Sequence, residues 1–136
     1  MKKQILFIVF VLGSYMLKAS DGYDLWLQYN KIDNPAVLKK YRALIQGYSL
    51  PASTPMLAVA RKELTNSIRG LLGLEMQQNK EAINNSVIAG TPASSVLVKN
   101  FLSNTNYHLG KEGYVIQSKK VNGHHIIFIA ANSDAG

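Results

Sequence analysis

Apolar positions first fall into helical spacing after Asn34. Val37, Leu38, Tyr41, Leu44, Ile45 and Tyr48 share one face, and Lys39, Arg42 and Gln46 lie opposite. This period predicts an amphipathic helix. Asn34-Pro35 supplies its cap and first residue, and Gly47 marks its end. Leu50 to Ser53 is a loop, and Thr54-Pro55 repeats the start signal. Leu57, Ala60, Leu64, Ile68, Leu71 and Leu72 then form the stripe of a longer helix that stops at Gly73. Gly70 inside it costs up to about 1 kcal/mol relative to Ala, so it marks a close approach to a neighbouring backbone.

Other runs have strand character. Tyr23 to Tyr29 alternates, which predicts a short extended segment with Trp26 as a core anchor. Leu74 to Gln77 is an expected edge strand, followed by a polar loop from Gln78 to Asn85. Ser86 to Ala89 is a short buried strand, turned at Gly90-Thr91-Pro92. Ser94 or Ser95 caps a third helix carrying Val96, Leu97, Phe101 and Leu102. Tyr114 to Val121 and His124 to Ala131 flank Asn122-Gly123, the strongest short-range hairpin signal. The last strand is apolar on both sides and calls for cover on both.

The expected order is strand, helix, helix, strand, helix, hairpin. It predicts an α/β (α+β) fold: a two-layer sandwich, with helices on one face of a mixed sheet and a C-terminal β-hairpin. After the hairpin, Asn132-Ser133-Asp134 is a helix-start signal, yet the chain reaches Gly136 without a helix. The expectation is the front portion of a longer protein. One sheet face is then partly bare around Ile126 to Ile129, and the isolated chain is marginally stable.

The N-terminus has its own pattern. Lys2 and Lys3 precede an apolar run from Ile5 to Leu12, and Ala19-Ser20 precede the polar Asp21-Gly22. This is a secretory signal peptide over residues 1–20, cleaved near Ala19 or Ser20. The run is shorter than the roughly 20 residues that span a bilayer. The expected location is secreted or periplasmic, with no membrane attachment after cleavage. The remaining domain covers 21–136.

Signal removal also changes the charge. The whole chain has 15 Lys+Arg against 8 Asp+Glu, a net charge of +7. Without Lys2, Lys3 and Lys18 this becomes 12 against 8, or +4. The remaining cations are scattered, unlike the concentrated basic face of a nucleic-acid binder. With no cysteine, an exported domain relies on its apolar core alone.

Candidate chemistry is sparse. His124 and His125 are neighbours in a strand and point to opposite faces, while His108 lies in a loop. Metal binding needs three or four convergent ligands, and no spacing here supplies them. Glycosidases pair two carboxylates. Glu63 faces away from its helix's apolar stripe, Glu75 and Glu81 flank a loop, and Glu112 precedes a strand, so nothing in the sequence unites two of them. Gly90 to Ser95 sits between strand and helix as a phosphate-binding loop does. It lacks the Walker Lys and second Gly, and a tight turn with a helix cap accounts for it. Asn84-Asn85-Ser86 is a formal glycosylation sequon that carries no functional argument. No catalytic, cofactor-binding or metal residue is assigned.

Four segments in order, YDLWLQYNKI (Tyr23 to Ile32), AVARKEL to GLLG (Ala58 to Gly73), IAGTPASS (Ile88 to Ser95) and GKEGYVI through IAANSD (Gly110 to Asp134), carry a resemblance. Together they resemble the N-terminal domain of the alpha-glucuronidases of glycoside hydrolase family 67. The resemblance implies a non-catalytic α/β unit like the accessory domain before hexosaminidase-type barrels. Members release (4-O-methyl)glucuronic acid from xylo-oligosaccharides by inversion, without a cofactor. Their catalytic carboxylates sit in a following (β/α)8 barrel, the expected partner of this domain, in an enzyme that can be a homodimer. A self-standing secreted module remains the alternative. It would bind carbohydrate through Trp26, Tyr23 and Tyr29, or dock to protein by its uncovered sheet.

The signal peptide gives the first prediction. N-terminal sequencing of the exported protein should begin at Ser20 or Asp21. An intact Met1 in the membrane fraction would contradict cleavage.

Overall fold

The computed structural model describes Gly22 and residues 26–80 and 83–136. The signal peptide, Tyr23 to Leu25 and Glu81 lie outside the described residues. Among the described residues, three helices and four strands have full bounds, in order: α1 (Pro35–Leu44), β1 (Gly47–Ser49), α2 (Pro55–Leu72), β2 (Ser86–Gly90), α3 (Val96–Ser103), β3 (Tyr114–Val121) and β4 (His124–Ala131). The sheet order is β1-β2-β4-β3. β1, β2 and β4 run parallel, and β3 is antiparallel at the edge. The mixed-sheet α/β fold and its C-terminal hairpin are as the sequence pattern predicts.

Local chemistry sets each boundary. The Asn34 side chain accepts hydrogen bonds from the N–H groups of Ala36 and Val37, at 3.0 and 3.2 Å. Thr54 caps α2 through the Leu57 N–H, and Ser95 caps α3 through the Val98 N–H. α2 ends on Gly73, whose left-handed φ of 61° suits glycine. Arg42 of α1 donates from Nε to the Leu72 carbonyl at 2.7 Å, closing the C-terminus of α2 and tying the two helices together. Asn122 and Gly123 have φ of 50° and 85°, the paired positive angles of a tight two-residue hairpin turn.

The sheet has two apolar faces. On one, Ile88, Ile126, Phe128 and Ala130 pack with Val98 and Phe101 of α3. On the other, Tyr48, Val87 and Ala89 pack with Leu57 of α2, joined by half-buried Leu64, Ile127 and Ile129. The helices therefore lie on both faces, a correction to the two-layer arrangement with helices on one. The reason is topological. β2 and β4 are not joined by a simple crossover, because α3 leads into the antiparallel β3. The handedness rule for parallel crossovers then leaves the face of α3 unconstrained.

Four expectations change in detail. α1 ends at Leu44 rather than near Gly47, and Gly47–Ser49 forms β1. Tyr48 continued the helical stripe in sequence, and three residues buried throughout show no alternation to reveal a strand. The edge strand expected at Leu74 to Gln77 reduces to a single bridge between Tyr48 and Gln78. Residues 27–29 are not a strand, and Trp26 is 89 % exposed rather than a core anchor. Tyr29 has a φ of 41°, which ends any extended run. In α3 the buried positions are Val98 and Phe101, and Val96 is exposed.

Gly70 faces Tyr29. A Cβ built there would lie 2.5 Å from the Tyr29 Cβ and 2.6 Å from its carbonyl oxygen. Helix propensity favours Ala by up to about 1 kcal/mol, but overpacking of this kind costs about 1–3 kcal/mol. Gly70→Ala should therefore lower the melting temperature. A raised or unchanged value would show that Tyr29 does not pack there.

Candidate functional site

Among the described residues, those singled out in the sequence do not converge on a metal-holding group. His124 pairs in register with Val121 and His125 with Lys120, so the two imidazoles leave opposite faces of the sheet. The His125 N–H donates to the side-chain oxygen of Asn84 at 2.8 Å, which occupies the sequon asparagine in closing this end of the sheet. His108 borders a separate shallow cleft with Tyr107, Leu109 and Asn132. Among the described residues, no three His, Cys, Asp or Glu side chains are grouped to hold a metal. Glu63 is half-buried rather than fully solvated, and accepts a hydrogen bond of 3.0 Å from the Tyr29 hydroxyl. Glu75 pairs with Arg69 on the exposed surface.

The loop from Gly90 to Ser95 is closed on itself. Ser94 Oγ accepts from the Thr91 N–H at 2.9 Å, and Thr91 is buried. Gly90 has a φ of 139°, and a Cβ there would meet Ser94 Oγ at 2.6 Å. The turn thus spends its polar groups internally, and Ser95 spends its hydroxyl on the α3 cap. This loop lies at the carboxyl ends of the parallel strands, where open α/β sheets commonly bind ligands. Here the chain fills that position. Thr54 Oγ1 donates to Asp134 Oδ2 at 2.6 Å across the crevice, leaving a pocket of only about 100 Å³. Ser133 Oγ accepts from the Ala135 N–H, and the Ser133 carbonyl accepts from Gly136. The expected helix-start residues thus form a turn.

Two surfaces remain. On the α2 side, the register sets Ile116 opposite Ile129 and Tyr114 opposite Ala131. Ile116 and Tyr114 are each 62 % exposed. On the same side, a separate groove of about 450 Å³ lies between α1, α2 and the sheet, lined by Tyr41, Ile45, Ile68, Val87, Ile127 and Ile129. The bare face expected around Ile126 to Ile129 is not found as such: Ile127 and Ile129 are half-buried against the α2 core, α3 covers Ile126 and Phe128, and the exposed apolar residues are Tyr114 and Ile116 of β3. On the α3 side, a second and more polar groove runs between α3 and the hairpin.

The order and spacing of these elements can now be set against known proteins. The sequence matches the model of the glycosyl hydrolase family 67 N-terminus over residues 25–136. The chain belongs to this family. The match spans every strand and helix described above. A comparison with curated proteins finds no match. Among the described residues of this family 67 N-terminal domain, the two sheet faces each carry a groove, and no metal-holding cluster of His, Cys, Asp or Glu is found. Sequence reasoning missed both grooves. Each is built from elements far apart in the chain, and Asn100, Lys119 and Ile116 show no mutual spacing. The one available signal was the doubly apolar β4.

Tyr29 supplies a pH prediction. Burial, then the hydrogen bond to Glu63, then the Glu63 charge push its hydroxyl above the ordinary tyrosine value. A raised folded-state value for an acid means that its stabilisation is full below about pH 10, the unfolded value, and is lost as pH rises through the folded one. At pH 7, Tyr29→Phe should cost about 0.5–1.5 kcal/mol through the lost hydrogen bond. The gap between variant and wild type should shrink above pH 10. A gap independent of pH would show that the hydroxyl does not contact Glu63.

Proposed function

We propose that this chain is the non-catalytic N-terminal domain of an alpha-glucuronidase that removes (4-O-methyl)glucuronic acid from xylo-oligosaccharides. Export and work outside the cytoplasm fit the basic and apolar N-terminal pattern. The family 67 match carries the assignment. Glu63 and Glu75, two of the carboxylates weighed in the sequence, are engaged with Tyr29 and Arg69.

The partner in this reading is the catalytic part of the same polypeptide. It covers the strip formed by Tyr114, Ile116, Ile127 and Ile129. Exposed apolar patches on an otherwise ordinary surface mark interaction sites. Fully burying a large aliphatic side chain contributes about 1.5–3 kcal/mol. The strip can therefore supply several kcal/mol of docking energy without a charged contact.

The test compares the isolated chain with the longer enzyme. The longer enzyme should release glucuronic acid from acidic xylo-oligosaccharides, and the isolated chain should release none. Ile116→Thr keeps a β-branched residue in β3 while removing apolar surface. It should leave the stability of the isolated chain within about 0.5 kcal/mol, as expected of a surface change, but lower the melting temperature of the longer enzyme by several degrees. Hydrolysis by the isolated chain would overturn the non-catalytic assignment. Equal effects of Ile116→Thr in both forms would overturn docking through this strip.

A further inference from the structure

The two edges of the sheet are unlike. β1, at one edge, is closed: Tyr48 bridges to Gln78, and the Tyr48 carbonyl accepts from the Asn79 N–H at 2.7 Å. β3, at the other edge, is open. Among the described residues, no backbone hydrogen bond of Tyr114–Val121 runs to any element but β4. The two-residue turn at Asn122-Gly123 closes on the pair Val121 and His124, which exchange both hydrogen bonds. The alternation along the ladder then turns the N–H and C=O groups of Tyr114, Ile116, Ser118 and Lys120 outward. The side chains of these four residues lie on the α2 side, where Tyr114 and Ile116 are exposed.

An open edge of this kind is a template for another strand. The charge pattern selects which strand. Lys119 and Lys120 sit at the turn end of β3, and Tyr114 to Ser118 carry no charge. A parallel copy in register would lay each lysine beside its twin, and like charges directly opposite are destabilising. An antiparallel copy sends the two lysine pairs to opposite ends. With Gln117 on the two-fold axis, Ile116 faces Ser118 of the second copy, and the two Ile116 side chains meet on the diagonal. Lys120 then faces the Tyr114 ring, a favourable place for a cation. The single carboxylate of residues 108–131, Glu112, lies beside Lys111 at the Tyr114 end. Antiparallel pairing carries it too to the lysine end of the second copy.

We infer that β3 pairs edge to edge and antiparallel with β3 of a second copy of this chain, centred on Gln117. The result is one continuous sheet with two-fold symmetry, in which the same strand serves both copies. The pairing lies in the plane of the sheet and the docking strip lies on its face, so each contact leaves the other open. The inference stands on the edge and its charges, and not on the alpha-glucuronidase reading. A strand edge is a small interface, so the pair dissociates on dilution.

The chain has no cysteine, so an introduced one reports only on its own twin. At a non-hydrogen-bonded antiparallel position the two Gln117 Cα atoms stand about 4.5 Å apart, within the span of a disulfide. On oxidation, Gln117→Cys should form a covalent dimer. Lys119→Cys, which faces Val115 of the second copy, should form none. Sedimentation of the unmodified chain should show a monomer–dimer equilibrium that shifts with concentration. Ser118→Pro removes an outward N–H that β4 does not use, a change edge strands tolerate. It should raise the dimer dissociation constant at least tenfold with unchanged circular dichroism. A monomer at every concentration would overturn the inference, as would cross-linking of both cysteine variants or of neither. If the isolated chain fails to fold, the same two substitutions in the longer enzyme decide. Cross-linking at Gln117→Cys alone supports the pairing, and its absence shows that something other than a second copy takes the edge. Glucuronic acid release by the unmodified longer enzyme judges the proposed function separately, because it does not depend on this edge.

Discussion

The pairing of β4 between β2 and β3 is the constraint on which the rest of the structure depends. β4 bonds in parallel to β2 over five residue pairs and antiparallel to β3 over eight. Its side chains alternate between the α3 core, at Ile126, Phe128 and Ala130, and the α2 side, at Ile127 and Ile129. A one-residue slip would exchange these sets and send every side chain of β4 to the wrong face. The Asn122-Gly123 turn fixes the register locally. The parallel partner then brings β2, and through it β1, into place. Both helical layers are positioned by this one strand.

The hairpin was legible because its signals are local. Asn-Gly, two apolar runs and their length are all contiguous in sequence. The caps at Asn34, Thr54 and Ser95 and the glycine stop at Gly73 were legible for the same reason, as was the close contact at Gly70. β1 was not. Gly47-Tyr48-Ser49 is too short to show a period, and it becomes a strand only because β2 offers it a partner. Trp26 misled for the opposite reason: a large apolar side chain is usually buried, but the chain turns at Tyr29 and leaves it outside. The face occupied by α3 was also out of reach, since it follows from packing between elements that no short window contains.

The two faces of the sheet divide the surface into unlike halves. The α2 side is apolar where β3 extends beyond its helical cover. The α3 side is polar at the rim and apolar only at the floor. This asymmetry is consistent with the docking proposed for the apolar side. It also explains the thin record of reactive side chains. Histidines on opposite strand faces, a carboxylate held by a tyrosine hydroxyl and a loop closed on its own serine are structural uses of residues that could otherwise serve chemistry.

The most direct test of the account is amide hydrogen exchange, measured on the isolated chain and on the longer enzyme under identical conditions. The account predicts added protection in the longer enzyme at Tyr114 to Ser118 and at Ile127 to Ile129. Exchange along Val96 to Ser103 and at the Asn122-Gly123 turn should be unchanged. Identical protection in both forms, or new protection confined to α3 and the hairpin turn, would contradict it.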